Sequence, residues 1–243
     1  MIPNASSQAP LLVLDFDGTV ALGDGPVLAY AQAVADQLPE QAAKALLAEV
    51  DQFLAGESQR VFKDGYDAVA RLSETTLSPE QRSTAYLESR QAIARGEVTV
   101  HAPEGLIDFL REVSGYAERL LFTNAPLAGV TESLIGLGLN GLIDHVVPNA
   151  RKPLGFAQQL PDLLDGRPAA HLLSVGDVWA NDIEIPLNAG CSTAFIDRFD
   201  LHTGPAHLRA ETIEELYPGI QEWAQDPVAF QLHHSLPHSP PDR

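Results

Sequence analysis

Apolar and polar residues along the chain form two kinds of pattern, one with the length of strands and one with the spacing of helices. Short apolar runs stand at residues 11–17, 119–124, 144–150, 171–177 and 192–197, with a weaker one at 206–210. Between them, apolar residues recur at helical spacing, as over residues 105–115. Strands that are apolar on both faces and alternate with helices predict an α/β fold with a Rossmann-like, doubly wound parallel sheet.

One long stretch, residues 23–99, carries helical patterns and no convincing strand. Its four predicted helices cover residues 26–38, 40–54, 66–72 and 79–96. Helices of this length can form a small bundle. We therefore expect an α/β core made of residues 11–22 and 100–220, with an all-helical domain of residues 23–99 inserted after the first strand.

Prolines and polar residues mark the places where regular structure should stop. Pro161 predicts a break or kink in the helix over residues 155–160. Residues 1–10 are polar, and residues 228–243 include a stretch rich in proline and histidine without periodicity. Both ends are predicted to be disordered tails.

Composition and charge narrow the function classes. The chain has 243 residues and a net charge of −18, so its surface repels nucleic acid and anionic membranes. Its single cysteine excludes an internal disulfide and suits a reducing compartment. No basic and apolar leader and no apolar run of membrane-spanning length is visible, so we expect a cytoplasmic protein.

Polar side chains follow four of the predicted strands, and the carboxyl ends of parallel strands are where open sheets bind ligands. The first strand ends in DFDGT, with Asp15, Asp17, Gly18 and Thr19; the second in FTN, with Thr123 and Asn124; the third in RKP, with Lys152; and the fourth in GDVWAND, with Asp177, Asn181 and Asp182. These residues predict one site for an anion at the end of the sheet.

In this order, each after a predicted strand, the four motifs resemble those of the haloacid dehalogenase-like (HAD) hydrolase superfamily. The resemblance covers residues 11 to about 217, and it implies that residues 23–99 form a cap over the site. It also implies that Asp15 is a nucleophile that forms an aspartyl-phosphate, and that Asp17 is the general acid and base. Gly18 lets the chain turn sharply away from the strand.

Several acids facing a phosphoryl group would repel it, and a divalent cation with oxygen ligands would relieve that repulsion, Mg²⁺ being the usual one. By resemblance, Asp15 and Asp177 are direct side-chain ligands and Asp17 binds the metal through its backbone carbonyl. Asp182 would act through water or orient Lys152.

The remaining site residues are expected to hold the phosphoryl group. Thr123 and Asn124 stand where a strand meets a helix, so a hydroxyl and backbone N–H groups there can bind phosphate oxygens. Lys152 supplies a positive charge that balances the nucleophile and the phosphoryl group. The alternative for Thr123, Asn124 and Asp182 is a structural role at the start of a helix, as a cap or a first-turn acid.

Within the superfamily, Asp17 favours a phosphatase, because hydrolysis of a phosphate ester needs a proton donor for the leaving oxygen. The expected partner is a small phosphorylated metabolite, with phosphoglycolate, a sugar phosphate and a nucleotide monophosphate all open. Two alternatives remain: a phosphotransferase or sugar-phosphate mutase, and a non-catalytic binding protein on the same fold.

Overall fold

The computed structural model describes residues 9–236 and contains an α/β sheet and a group of helices. Among these residues the strands are β1 Leu11–Leu14, β2 Glu118–Phe122, β3 His145–Val147, β4 Leu172–Gly176, β5 Ser192–Ile196 and β6 Leu208–Ala210. The helices are α1 Gly25–Ala35, α2 Glu40–Leu54, α3 Gly65–Ser73, α4 Pro79–Ala94, α5 Leu106–Val113, α6 Leu127–Gly136, α7 Leu154–Leu164, α8 Trp179–Asp182, α9 Glu184–Asn188, α10 Tyr217–Gln225 and α11 Pro227–His233. Short 3₁₀ helices cover Ala169–His171 and Glu214–Leu216.

All six strands belong to one parallel sheet in the order β3-β2-β1-β4-β5-β6. The strand order reverses between β1 and β4, and right-handed crossovers on either side of such a reversal place helices on both faces. Every residue of β1, β4 and β5 is buried, as covering on both faces requires. The predicted doubly wound α/β fold and its six strands are confirmed.

The chain divides into two compact units, which are described separately. The first is the sheet unit, formed by the described parts of Met1–Val20, Pro103–Asn124 and Leu139–Arg243. The second is the helical unit, formed by Ala21–Ala102 and Ala125–Gly138.

One core layer of the sheet unit lies between the sheet and α7. Leu11 and Val13 of β1 pack with Phe122 of β2 and with Phe156 and Leu160 of α7. The alternate residues of a strand point to the same face, so the apolar positions of β1 and β2 reach the same layer. This packing holds β1, β2 and β4 together, so the carboxyl ends of these strands have defined positions.

The helical unit is built as the apolar spacing predicts. Val27, Ala31 and Val34 of α1 pack with Leu46 and Val50 of α2. Local caps define where two helices begin: the Asp64 carboxylate accepts the Asp67 N–H at 2.6 Å, and Ser78 and Gln81 form a capping box at α4. The unit also includes α6, which packs against α4, although the sequence analysis assigned residues 125–138 to the core.

Two predictions about where regular structure ends are contradicted in part: the helix does not break at Pro161, and the described part of the C-terminal tail begins with a helix. Helix α7 continues through Pro161 to Leu164, since an exposed proline loses one hydrogen bond of a helix that is otherwise anchored by Phe156 and Leu160. Residues 228–243 were expected to be disordered, but Pro227–His233 form α11, which Asp226 caps and which buries Phe230. Residues 1–8 and 237–243, the rest of the predicted tails, lie outside the described residues.

No helix within residues 9–236 combines the length and the apolar character that a membrane span requires.

Candidate active site

The predicted site residues of the sheet unit meet at the carboxyl ends of its central strands. The register pairs Leu14 of β1 with Leu121 of β2 and with Val175 of β4, so Asp15 lies level with the ends of both neighbouring strands. The Asp15 N–H continues the ladder by donating to the Val175 carbonyl at 3.0 Å. The backbone therefore fixes the Asp15 carboxylate at the strand end.

Lys152 is the buried cation of this site. Its ammonium donates to Asp15 Oδ1 at 2.7 Å and to Asp182 Oδ1 at 2.6 Å, and its side chain is only 3% exposed. A buried ammonium is stable when it is paired and hydrogen-bonded. The structure thus brings three predicted site residues into one ion-paired group, although they are far apart in sequence.

Burial and the neighbouring charges change the pKa values of Lys152 and Asp182. Burial by itself would lower the pKa of the Lys152 ammonium, but Asp15 and Asp182 outweigh it and raise that pKa above its ordinary value. Burial raises the pKa of the Asp182 carboxyl; Lys152 opposes the rise and the negative charge of Asp15 adds to it. Lys152 therefore carries its charge at neutral pH.

A third carboxylate joins the group. Ligand oxygens of Asp15, Asp177 and Asp182 all lie within 4.8 Å of one another. Three carboxyl groups thus converge beside one ammonium, an excess of acidic groups that a divalent cation would balance. Carboxylate oxygens are the kind of ligand that Mg²⁺ binds, so the chemistry of these side chains is compatible with this metal.

Gly18 is required for the approach of Asp177. Its φ of +80° lies in the left-handed region, and a Cβ at this position would stand 2.2 Å from Asp177 Oδ2. Only glycine meets both conditions without displacing the carboxylate. In the structure Gly18 therefore provides both the turn and the space for an acid.

Asp182 is held by a similar arrangement that the sequence analysis missed. A Cβ on Gly176, the last residue of β4, would stand 2.3 Å from Asp182 Cγ. The Val178 N–H donates to Asp182 Oδ2 at 3.1 Å, and the Ser174 hydroxyl donates to the Asp182 carbonyl at 2.6 Å. The glycine of the GDVWAND motif was the signal for this close packing.

The side chain of Asn124 bonds to the backbone of Lys152. Its Oδ1 accepts the Lys152 N–H at 2.6 Å, and its Nδ2 donates to the Lys152 carbonyl at 3.2 Å. The side-chain amide, to which the sequence assigned no partner, is thus bonded to the backbone of the site lysine. Thr123 is 2% exposed, and its backbone pairs with Val147 and Ala150.

Asp17 follows Asp15 by two residues and is partly exposed. Within residues 9–236, the carboxylate group around Lys152 consists of Asp15, Asp177 and Asp182, and Asp17 lies outside it. Asp17 is thus a partly exposed carboxyl group close in sequence to the group around Asp15.

A second acidic group, Asp197, Asp200 and His202, follows β5. Here the Asp197 carboxylate accepts the N–H groups of Leu201 and His202 and pairs with Arg209 at 3.2 Å. These bonds stabilise the loop after β5, which gives the Asp197 carboxylate a structural role.

Comparison with known proteins gives the class of this fold. No family model matches the sequence, and no curated protein is significantly similar to it. Among solved structures, CbbY from Rhodobacter sphaeroides in complex with phosphate aligns with a TM-score of 0.60 and 13% identity over 86% of this chain and 96% of its own. The HAD-hydrolase YfnB from Bacillus subtilis, bound to magnesium, aligns with a TM-score of 0.56 and 16% identity over 87% and 98%.

A predicted phosphoglycolate phosphatase from Haemophilus somnus 129pt aligns with a TM-score of 0.59 and 13% identity over 88% of this chain and 99% of its own. These alignments span nearly the whole length of the solved chains. The protein therefore has the fold of the haloacid dehalogenase-like hydrolases, as the motifs led us to expect.

Proposed function

We propose that this protein is a magnesium-dependent phosphatase that hydrolyses a small phosphorylated metabolite through an aspartyl-phosphate on Asp15. The observation that carries the proposal is the group of three carboxylates at the end of the central strands, two of which pair with the buried Lys152 ammonium. A HAD-hydrolase with this fold bound to magnesium, and another neighbour in complex with phosphate, support the choice of metal and substrate class.

In the first half of the reaction, an Asp15 oxygen attacks phosphorus while the bond from phosphorus to the leaving oxygen breaks. Asp17 gives its proton to that oxygen, so the product leaves as an alcohol. Lys152 holds Asp15 in place and offsets the negative charge that builds up between nucleophile and phosphoryl group.

In the second half, Asp17 takes a proton from water, and the water oxygen attacks phosphorus. The bond between Asp15 and phosphorus breaks, which releases inorganic phosphate and restores both carboxylates to their starting states. Thr123, which directly follows β2, would contact phosphoryl oxygens through its hydroxyl.

Bound Mg²⁺ would supply the positive charge that lets a phosphate dianion approach the acidic group. Asp15 and Asp177 would hold it with the Asp17 carbonyl, and Asp182 would act through Lys152 or water. Gly18 and Gly176 leave the space in which these carboxylates converge.

The larger segment of the helical unit, Ala21–Ala102, follows the Asp15–Val20 segment in the chain, and Ala125–Gly138 belongs to the same unit. We propose that it is the cap and that it selects the substrate, because residues within the sheet unit account for the chemistry but not for recognition of a particular metabolite.

The test is phosphate release from an aryl phosphate and a panel of metabolite phosphates, with Mg²⁺ and with chelator. We expect activity that needs Mg²⁺ and falls by about 1,000-fold or more in Asp15→Asn, since that variant lacks the nucleophile. Asp162→Asn, which changes an exposed carboxylate on α7, serves as the matched control and should retain activity.

A second readout concerns the intermediate. Acid-quenched enzyme should carry a phosphoryl group on the peptide that contains Asp15, and Asp15→Asn should not. Activity that survives in Asp15→Asn, phosphate release without metal, or a wild type inactive on the whole panel would each contradict the proposal. Isomerised sugar phosphate without net phosphate release would favour a mutase instead.

A further inference from the structure

Asn124 forms two hydrogen bonds to a single residue of the site, Lys152. Its Oδ1 accepts the Lys152 N–H at 2.6 Å and its Nδ2 donates to the Lys152 carbonyl at 3.2 Å. The orientation of the amide follows from chemistry, because a backbone N–H needs an acceptor and a carbonyl needs a donor. Both polar groups of the Lys152 backbone are thus held by one side chain.

This contact continues a series of bonds between two chain segments. The Thr123 N–H donates to the Val147 carbonyl at 3.0 Å, and the Ala150 N–H donates to the Thr123 carbonyl at 2.9 Å. Asn124 adds the next two hydrogen bonds, but it makes them with its side chain instead of its backbone. The chain after β2 and the loop after β3 are therefore joined up to Lys152.

The loop that presents Lys152 is tightly folded just beyond this connection. Arg151 has a φ of +57°, and the Gly155 N–H donates to the Arg151 carbonyl at 2.7 Å. A Cβ on Gly155 would stand 1.7 Å from the Ala150 carbonyl oxygen. Residues other than glycine are strained in the left-handed region, so such a turn needs support from outside the loop.

We propose that Asn124 is a positioning residue that fixes the Lys152 backbone, so that the ammonium reaches Asp15 and Asp182 together. The proposal gives Asn124 a role through Lys152 rather than through direct contact of its side chain with phosphate. Its catalytic consequence rests on the proposed phosphatase function, whereas its structural consequence, a constrained Lys152, does not.

The chain offers a direct measurement of that constraint, because it has three lysines: Lys44, Lys63 and Lys152. Lys44 and Lys63 are exposed, whereas the Lys152 side chain is 3% exposed. Trace acetylation of the native protein with an N-hydroxysuccinimide ester, followed by peptide mass spectrometry, gives the rate at Lys152 relative to the two internal references.

In the wild type we expect Lys152 to react at least about tenfold more slowly than Lys63, because it is buried and doubly ion-paired. Asn124→Ala removes both hydrogen bonds and should raise the relative rate at Lys152 by about tenfold. Asn124→Asp keeps an acceptor for the Lys152 N–H but loses the donor, so its effect should be smaller. Asn140→Ala, at an exposed asparagine of the sheet unit, is the control.

An unchanged Lys152 rate in folded Asn124→Ala would overturn the proposal, and so would an equal rise in Asn140→Ala. Circular dichroism and thermal unfolding establish that each variant is folded. If Asn124→Ala does not fold, the acetylation rate at Lys152 relative to Lys44 and Lys63 is measured in Asn124→Asp and Asn124→Ser instead, and an unchanged rate in both would overturn the proposal. This readout needs no enzymatic activity, so it stands if the phosphatase assay fails.

The activity arm uses a double-mutant cycle with Lys152→Ala. We expect Asn124→Ala to lower kcat for aryl phosphate about tenfold with little change in KM, and to cause no further loss in the Lys152→Ala background. Losses that multiply would mean that Asn124 acts on the substrate independently, which contradicts a role through Lys152.

Discussion

At the scale of a single residue, the position of the Asp182 carboxylate depends on the absence of a side chain at Gly176. Asp182 packs its carboxylate over Gly176, where a Cβ would come within 2.3 Å of Asp182 Cγ. The same acid accepts from Lys152 and from the Val178 N–H. A methyl group at position 176 must therefore move a residue that is fixed from two other sides.

We expect Gly176→Ala to lower the free energy of unfolding by about 1–3 kcal/mol, the usual cost of overpacking, and to lower phosphatase activity with it. Gly136→Ala is the matched control: its Cβ meets nothing within 4 Å and the position ends a helix, so it should stabilise by about 0.5–1 kcal/mol or be neutral. Urea unfolding of both variants measures the difference. Equal stability of the two would show that Asp182 tolerates displacement.

The strand pair β2 and β3 shows, at the scale of elements, how an edge strand of three residues is kept in the sheet. Asp144, just before β3, accepts from Arg119 Nε at 2.9 Å and Nη2 at 2.7 Å, and from the Arg119 N–H at 2.8 Å. The Arg119 guanidinium is 9% exposed and also donates to the Leu110 carbonyl of α5. One ion pair thus connects two strands and a helix.

Asp144→Ala should lower the free energy of unfolding by about 2–3 kcal/mol at neutral pH, because it leaves a buried guanidinium without its carboxylate. Asp108→Ala removes an exposed ion pair with Arg111 and should cost about 0.5 kcal/mol or less. Urea unfolding at neutral pH compares the two variants. A cost for Asp144→Ala as small as that for Asp108→Ala would contradict the role of this ion pair.

The pH dependence of the same variant follows from the sign of the shift. Hydrogen bonds from Arg119 lower the pKa of Asp144 below its ordinary value of 3.8, so the folded state favours the ionised carboxylate. Its contribution is present above that value and disappears as pH falls through the lowered pKa. The difference in the free energy of unfolding between wild type and Asp144→Ala, measured by urea unfolding, should therefore become smaller at acid pH.

At the scale of the whole molecule, the net charge of −18 means that cations will associate with many parts of the surface. Specific binding of Mg²⁺ at the Lys152 site must be distinguished from this general effect. The second acidic group provides a control for nonspecific cation binding. In that group Asp200 is exposed and the Asp197 carboxylate is bonded to backbone N–H groups.

Mg²⁺ at about ten times its dissociation constant should stabilise the folded protein by about 1.4 kcal/mol and raise Tm by about 3–6 °C. Asp177→Asn should lose most of this shift, whereas Asp200→Asn should keep it. Differential scanning fluorimetry with NaCl at matched ionic strength makes the measurement. An equal shift in Asp177→Asn, or with NaCl alone, would argue against a specific metal site.

The sequence by itself determined the strands, most helices and the four polar strand ends. Hydrophobic periodicity reports burial locally, and α2 occupies the predicted residues 40–54. Parallel strands then bring their carboxyl ends to one edge, so the sequence alone predicts that Asp15, Lys152 and Asp177 belong to one site.

Only the tertiary structure decided which side chains those residues meet. Asn124 and Lys152 are 28 positions apart in sequence. The close packing of Asp182 against Gly176 produces no periodic pattern that the sequence could reveal. The grouping of α6 with the helical unit and the helix over Pro227–His233 likewise depend on packing against distant segments. Local pattern predicts whether a residue is buried, but the identity of its neighbour follows only from how the elements pack.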